Sequence, residues 1–193
     1  MAQLAPVPSI GMGIGSFYTQ ALSKDFSRDF QMRVINIGPN NILKEDDNVF
    51  ITTAVLPGYA IANQAVPFMG VQFNVPGSGN FPGSDAWAVT FRCDAALNIR
   101  EKLIGWQRSI FNSFPSTELN SVGSYGPKGA ESTISLVVMN RSGGTARGVR
   151  LVGAYPVAVG EISYDATLNG NVVTLGATLA YQYWTADMDL KVS

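Results

Sequence analysis

The side chains that most often do chemistry in proteins are nearly absent from this chain. There is no histidine in 193 residues. That removes the commonest general base, the commonest metal ligand and the usual partner of a nucleophilic serine or cysteine. Cys93 is the single cysteine, so neither an intrachain disulfide nor a Cys-rich zinc site is available, and the usage fits a reducing compartment. Carboxylates can act as an acid–base pair without histidine, as in glycoside hydrolysis. The candidates are Glu45, Asp46 and Asp47 in "KEDDN", with Glu161 and Asp165 in "EISYD". Nothing in their spacing draws two of them into one cleft, and solvated turns and strand faces are the expected place for all five.

The glycine-rich stretches do not rescue a catalytic reading. "GMGIGS" (Gly11 to Ser16) follows no strand, lacks the G-x-G-x-x-G spacing and is not followed by G-K-[ST]; "GPKGAES" also lacks the phosphate-loop spacing. Asn140-Arg141-Ser142 matches a glycosylation sequon, but with no secretion signal it reads as a chance match. The expectation is an non-enzymatic chain with no catalytic, metal-binding or cofactor-binding residue and no cofactor.

Composition points instead to surfaces. Charged residues make up 14% and hydrophobic residues 46%, against about 25% charged in ordinary soluble domains. Either neutral polar side chains cover a β-sandwich, or contacts with other copies consume much of the surface. The net charge of −1 and the scattered basic residues argue against a dedicated nucleic-acid binder. No apolar run is long enough to span a membrane, so no membrane anchor is expected. The start, "MAQLAPVPSIGMGIG", lacks a basic n-region and is interrupted by Pro6 and Pro8. It reads as an apolar arm that docks on a neighbour rather than as a signal peptide.

The elements that must position these residues are mostly strands. Residues 16–29 suit a short helix or turn. Alternation marks a strand from Phe30 to Ile37, ended by "GPNN"; "KEDDN" is an acidic turn before "VFITTAVL", which Pro57-Gly58 breaks. Residues 59–66 read as a weakly polar loop or outer hairpin. "VQFNV" alternates again, and "PGSGNFPGS" reads as a loop. In "DAWAVTFRCD", Trp87, Val89, Phe91 and Cys93 share one face, which predicts a buried, inert thiol.

One amphipathic helix interrupts the strands. In "LNIREKLIGWQ", Asn98 is the expected cap with Glu101 three residues on, and Ile99, Leu103, Trp106 and Ile110 form one apolar stripe. The stripe predicts a helix that closes an open side of a sandwich and buries Trp106. "STISLVVMN" and "VRLVGAY" read as strands beyond a loop from Ser113 to Ala130. "EISYDATL" and "NVVTLGATLAYQYW" flank Asn169-Gly170 as a hairpin whose second arm is one long strand. No repeat or linker divides the chain. The expected organisation is an arm over 1–27, one β domain over 28–184 and a tail over 185–193.

The order of these pieces carries a resemblance. Trp87-x-Val89-Thr90 leads into a helix ending Leu103-Ile104-x-Trp106-Gln107. Later come Gly153-x-Tyr155-Pro156-x-x-Val159-Gly160-Glu161 and the terminal Leu179-Ala180-x-x-Tyr183-Trp184. Over roughly 28–184 the chain resembles the tail tube proteins of contractile-tailed bacteriophages of the T-even type. The apolar start and the stretch after Trp184 look longer than the family's minimum, and the loop from Ser113 to Ala130 does not align with it.

The resemblance implies a mainly β, tail-tube/Hcp-like fold: two packed antiparallel sheets, as a sandwich or barrel, with one flanking α-helix. Trp87, Phe91, Leu103, Trp106 and Trp184 would be its core and helix-packing residues. It implies a hexameric ring whose inner strands join into one barrel, and rings that stack into a hollow tube through which DNA leaves without being gripped. The implied partners are other copies of the chain, the tail sheath protein, baseplate and tail-terminator proteins, and passing DNA. The implied setting is the virion tail, assembled in the host bacterial cytoplasm. Inward-facing acids would repel phosphate, and Glu45, Asp46, Asp47, Glu161 and Asp165 are the candidates. A tube initiator and a secretion-system tube are close alternatives. From a different class, a monomeric carbohydrate-binding sandwich could use the three Trp and seven Tyr as a stacking platform; a histidine-free carboxylate hydrolase stands last.

Overall fold

Alternating large apolar and small or polar residues build the body of the molecule. The computed structural model describes residues 13–24, 26–110, 132–165, 167 and 170–187, with the backbone alone at Glu45. The start through residue 12, the loop over 111–131, Asn169 of the expected turn and the end from 188 lie outside the described residues.

In chain order the elements are α1 (Ile14–Lys24), β1 (Met32–Ile37), a 3-10 turn (Pro39–Asn41), α2 (Glu45–Asn48) and β2 (Ile51–Ala54). Then follow β3 (Ala60–Phe68), β4 (Val71–Asn80), β5 (Trp87–Arg92), α3 (Asn98–Ile110) and β6 (Thr133–Met139). The last are β7 (Thr145–Val152), β8 (Tyr155–Val159), β9 (Thr174–Ala180) and β10 (Tyr183–Ala186).

Two four-stranded antiparallel sheets form, ordered β1-β6-β7-β10 and β2-β5-β9-β8. Register places apolar residues in rows. In the first sheet Val34 opposes Leu136, which opposes Val149; in the second Phe91 opposes Leu175 and Trp87 opposes Leu179. All of these are buried and belong to one core. Burying each large side chain fully contributes about 1.5–3 kcal/mol. The residues between them in β5, Ala88 and Arg92, are exposed, as a period of two requires.

Helix α3 buries Ile99, Leu103 and Trp106 and packs against β8. The Gln107 side-chain amide donates to the Val157 carbonyl at 3.0 Å. The Trp106 ring lies against Gly38, where an added Cβ would meet it at 3.2 Å. Asn98 is the first helical residue rather than the cap: the Leu97 carbonyl accepts from the Glu101 N–H at 3.1 Å. The Asn98 amide donates instead to the Asp94 carboxylate at 2.6 Å.

Four other stretches differ from the sequence reading. "KEDDN" is a single helical turn, with the Lys44 N–H donating to Asp47 Oδ2 at 3.2 Å. The expected long final strand is two strands. β9 ends at Ala180, the chain passes Tyr181 and Gln182, and β10 then pairs with β7 in the other sheet. "EISYDATL" forms no described strand; β8 precedes it and is β9's partner. Finally, the stretch read as a loop or outer hairpin over 59–66, a strand over 71–75 and a loop over 76–84 holds one hairpin. β3 and β4 pair from Phe68↔Val71 down to Ala60↔Asn80 and pair with no strand of either sheet. Met69 and Gly70 turn it with φ of 48° and 77°, the positive-φ pair a two-residue hairpin loop needs. Pro67, Pro76 and the glycines at 77 and 79 are tolerated because both strands of a two-stranded ribbon are edges.

Candidate assembly surfaces

The five acids lie on two elements, α2 and the connection after β8. Asp47, half-buried on α2, accepts from Lys102 Nζ of α3 at 2.6 Å, an ion pair that ties the two helices. Asp46 is exposed on the same turn, and Glu45 opens it. Glu161 and Asp165 are exposed on the connection after β8. Asp165 accepts from the hydroxyl and N–H of Thr167, at 2.6 and 2.9 Å. The hydroxyl bond first, then the backbone bond, lowers its carboxyl below the ordinary aspartate value. Two clefts of about 440 and 530 Å³ open beside β1, and neither is lined by any of the five acids. No cluster of metal-ligating side chains occurs among the described residues.

Cys93 is half-buried rather than fully buried. Burial first, and then the neighbouring Asp94 carboxylate, push its thiol up. Trp87 and Trp106 are buried, as are Phe91 and Leu103, while Trp184 is half-buried against the core. Trp87 and Trp106 therefore offer no open face for sugar stacking.

What the molecule does expose is apolar surface of a definite pattern. On one face of the β3–β4 hairpin stand Val66, Phe68, Val71, Phe73 and Val75, with Gln64 at its root end; Ala65, Pro67, Gln72 and Asn74 take the other face. Phe68, Val71 and Phe73 are 61%, 56% and 52% exposed, and Met69 caps the tip at 88%. No residue of either strand is buried. α1 likewise has no buried residue. Its Phe17 stacks on Phe26 with ring centroids 6.2 Å apart, and Tyr18 and Leu22 are exposed.

A two-stranded ribbon alone is marginal in water, and open apolar edges invite pairing. Such a patch marks an interaction surface. The sequence carried a signal for it: no Asp, Glu, Lys or Arg occurs anywhere from Asn48 to Ser84. Strand periodicity is blind to that signal, because a period of two does not depend on the absence of charge.

The root of the hairpin is fastened to the body. Trp87 Nε1 in β5 donates to the Val55 carbonyl at 2.7 Å, and Trp184 Nε1 in β10 donates to the Gly58 carbonyl at 2.9 Å. Tyr59 meets Phe81 edge-on at 5.5 Å between the two legs. The Tyr181 N–H donates to the Ser84 carbonyl at 2.7 Å.

A two-sheet sandwich with helix α3 packed on it and an uncharged, projecting apolar hairpin defines a class of protein: a structural subunit that completes its surface with other chains. Solved structures share the fold. One is the tube-terminating cap of the anti-feeding prophage, with TM-score 0.53 and 18% identity, covering 97% of this chain and 94% of that one. Another is a chain of the anti-feeding prophage baseplate, with TM-score 0.55 and 11% identity, covering 81% and 91%. The phage tail tube protein family model matches residues 21–187. Tail tube protein gp19 of Enterobacteria phage T4 is 30% identical over 167 residues, 84% of this chain and 93% of that protein. Its counterpart in Enterobacteria phage T6 matches to the same extent. The chain belongs to the phage tail tube protein family. It is a structural component of a virion tail tube.

Proposed function

We propose that six copies close into a ring and that rings stack into a hollow conduit for DNA, with no catalytic step. The observation that carries this reading is the exposed, uncharged face of the β3–β4 hairpin in a chain of this family. A ring contact joins different patches on neighbouring copies and closes by rotation. A stacking contact of the same heterologous kind stays open and propagates a filament. Joining the edges of one sheet from copy to copy satisfies strand hydrogen bonds that would otherwise attract stray chains. The hairpin and α1 are the surfaces for stacking.

In this reading a sheath surrounds the tube, a baseplate starts it, a terminator ends it, and assembly takes place in the host cytoplasm. Glu45, Asp46, Asp47, Glu161 and Asp165 are the proposed lumen acids. Asp47 does so only in part, because Lys102 already holds it. Like charge inside a narrow passage keeps the phosphate backbone from adhering. Replacing Glu161 with Gln and Asp165 with Asn together should slow DNA release from assembled tails; an unchanged rate would remove both from the lining.

The deciding experiment is negative-stain electron microscopy of the purified chain over a concentration series, with and without baseplate. Stacked rings with a central hole are the expected result. Compact monomers under every condition would overturn the reading.

A further inference from the structure

The hairpin is an independent ribbon, yet its root is held by both sheets. The linker between β2 and β3 has no regular structure from Val55 to Tyr59. Two indole N–H groups grip it three residues apart: Trp87 from the second sheet on the Val55 carbonyl, and Trp184 from the first sheet on the Gly58 carbonyl. A single attachment would leave the linker free to pivot about one point. Two attachments to two different sheets remove that freedom.

The outgoing leg is held from the same region. Phe81 packs on the core and on Tyr59, and the Ser84 carbonyl accepts from Tyr181. Tyr181 lies where the chain passes from β9 to β10, three residues before Trp184. Gly79 sits so close under the Tyr59 hydroxyl that any side chain there would displace the ring.

We infer that Trp184 and Trp87 are positioning residues: their paired indole bonds set the angle at which the hairpin leaves the sandwich, and so the fit of one ring on the next. The second half of this inference rests on the stacked-ring reading. The packing of the rings alone does not explain the arrangement. Trp184 is half-buried, and both indole nitrogens are spent on the one linker that leads into the hairpin.

The test separates the N–H from the ring. Trp184→Phe removes the donor, and the tryptophan analogue with sulfur in place of the ring N–H, installed at position 184, keeps the shape and loses the donor. One spin label goes on Met69→Cys at the hairpin tip and another on Arg147→Cys in β7, in a Cys93→Ser background. Dispersed chains, diluted with unlabelled protein, are measured by pulsed dipolar spectroscopy. Losing one such bond should raise the population of displaced poses about threefold to tenfold. The distance distribution should broaden in both variants with little change in Tm, and tubes should start more slowly and stay shorter.

An unchanged distribution would overturn the clamp. A broadened distribution with normal tubes would overturn its role in stacking. Broadening with Trp184→Phe but not with the sulfur analogue would assign the effect to ring volume and overturn the hydrogen-bond argument. A parent chain that never polymerises would sink the tube reading, while the distances on dispersed chains would still decide the clamp.

Discussion

Two glycines show how much a single position depends on its surroundings. Gly38 has φ of 86° and ψ of 178°, a region essentially restricted to glycine. The Trp106 ring also closes over it. Gly38→Ala should therefore cost about 2 kcal/mol, read as a lower denaturant midpoint. Gly105 is exposed on α3, and an added Cβ would meet nothing within 4 Å. Gly105→Ala should stabilise the chain by about 1 kcal/mol through helix propensity alone. Opposite signs in the two midpoints are the expected result, and a loss at Gly105 would show that its backbone is approached in a way the single chain does not reveal. Cys93 supplies a pH prediction at the same scale. Burial and Asp94 favour the neutral thiol, so alkylation should be slow at neutral pH and rise only above the ordinary thiol range. Rapid labelling at pH 7 would contradict the geometry around it.

At the scale of elements, what was legible in the sequence follows from which rules act locally. β5 and α3 were readable because each obeys one period, and their apolar positions all face the same core. The final alternation from Val173 to Tyr183 was also real, but period cannot say which sheet a strand joins, and the chain changes sheets at Tyr181. The extent of the hairpin is harder to read, because an outer hairpin over 59–66 competes with a loop. Its turn is Met69-Gly70 rather than Asn-Gly, and its prolines and glycines imitate a loop. Those residues survive only because the ribbon is not a central strand. Nor could spacing gather the five acids, since α2 and the connection after β8 are set by the three-dimensional packing of other elements. The separateness of the hairpin yields a prediction. Replacing residues 60–80 with a short Gly-Ser linker removes no buried side chain. The sandwich should keep its near-ultraviolet circular dichroism and nearly all of its Tm, while tube formation is lost. Phe73→Glu should do the same with one residue by placing a charge on the apolar face. Normal tubes from either variant would show that stacking uses another surface.

At the scale of the whole molecule, the scarcity of charge decides how assembly should respond to conditions. The chain carries a net charge of −1, and the stretch around the hairpin carries none at all. Long-range repulsion between copies is therefore weak, and adding salt has little to screen. If stacking buries the apolar faces of the hairpin and α1, its driving force near room temperature is mainly entropic and accompanied by a negative heat-capacity change. Three consequences hang together. Polymer length should vary little between low and moderate sodium chloride. Cooling should shorten tubes reversibly, because hydrophobic association weakens in the cold. Sulfate should lengthen them, because it is excluded from apolar surface. Light scattering across a matrix of salt and temperature would measure all three. A steep loss of polymer with sodium chloride would place ion pairs at the contact instead. The partners would then have to come from outside the uncharged stretch, where Arg100, Glu101 and Arg108 on α3 offer one charged surface. The salt arm is the discriminating one, since ion pairs also weaken on cooling as the desolvation penalty of charged groups grows. Tubes that shorten in the cold and ignore salt would tie the assembly to the same apolar face that the single chain leaves open.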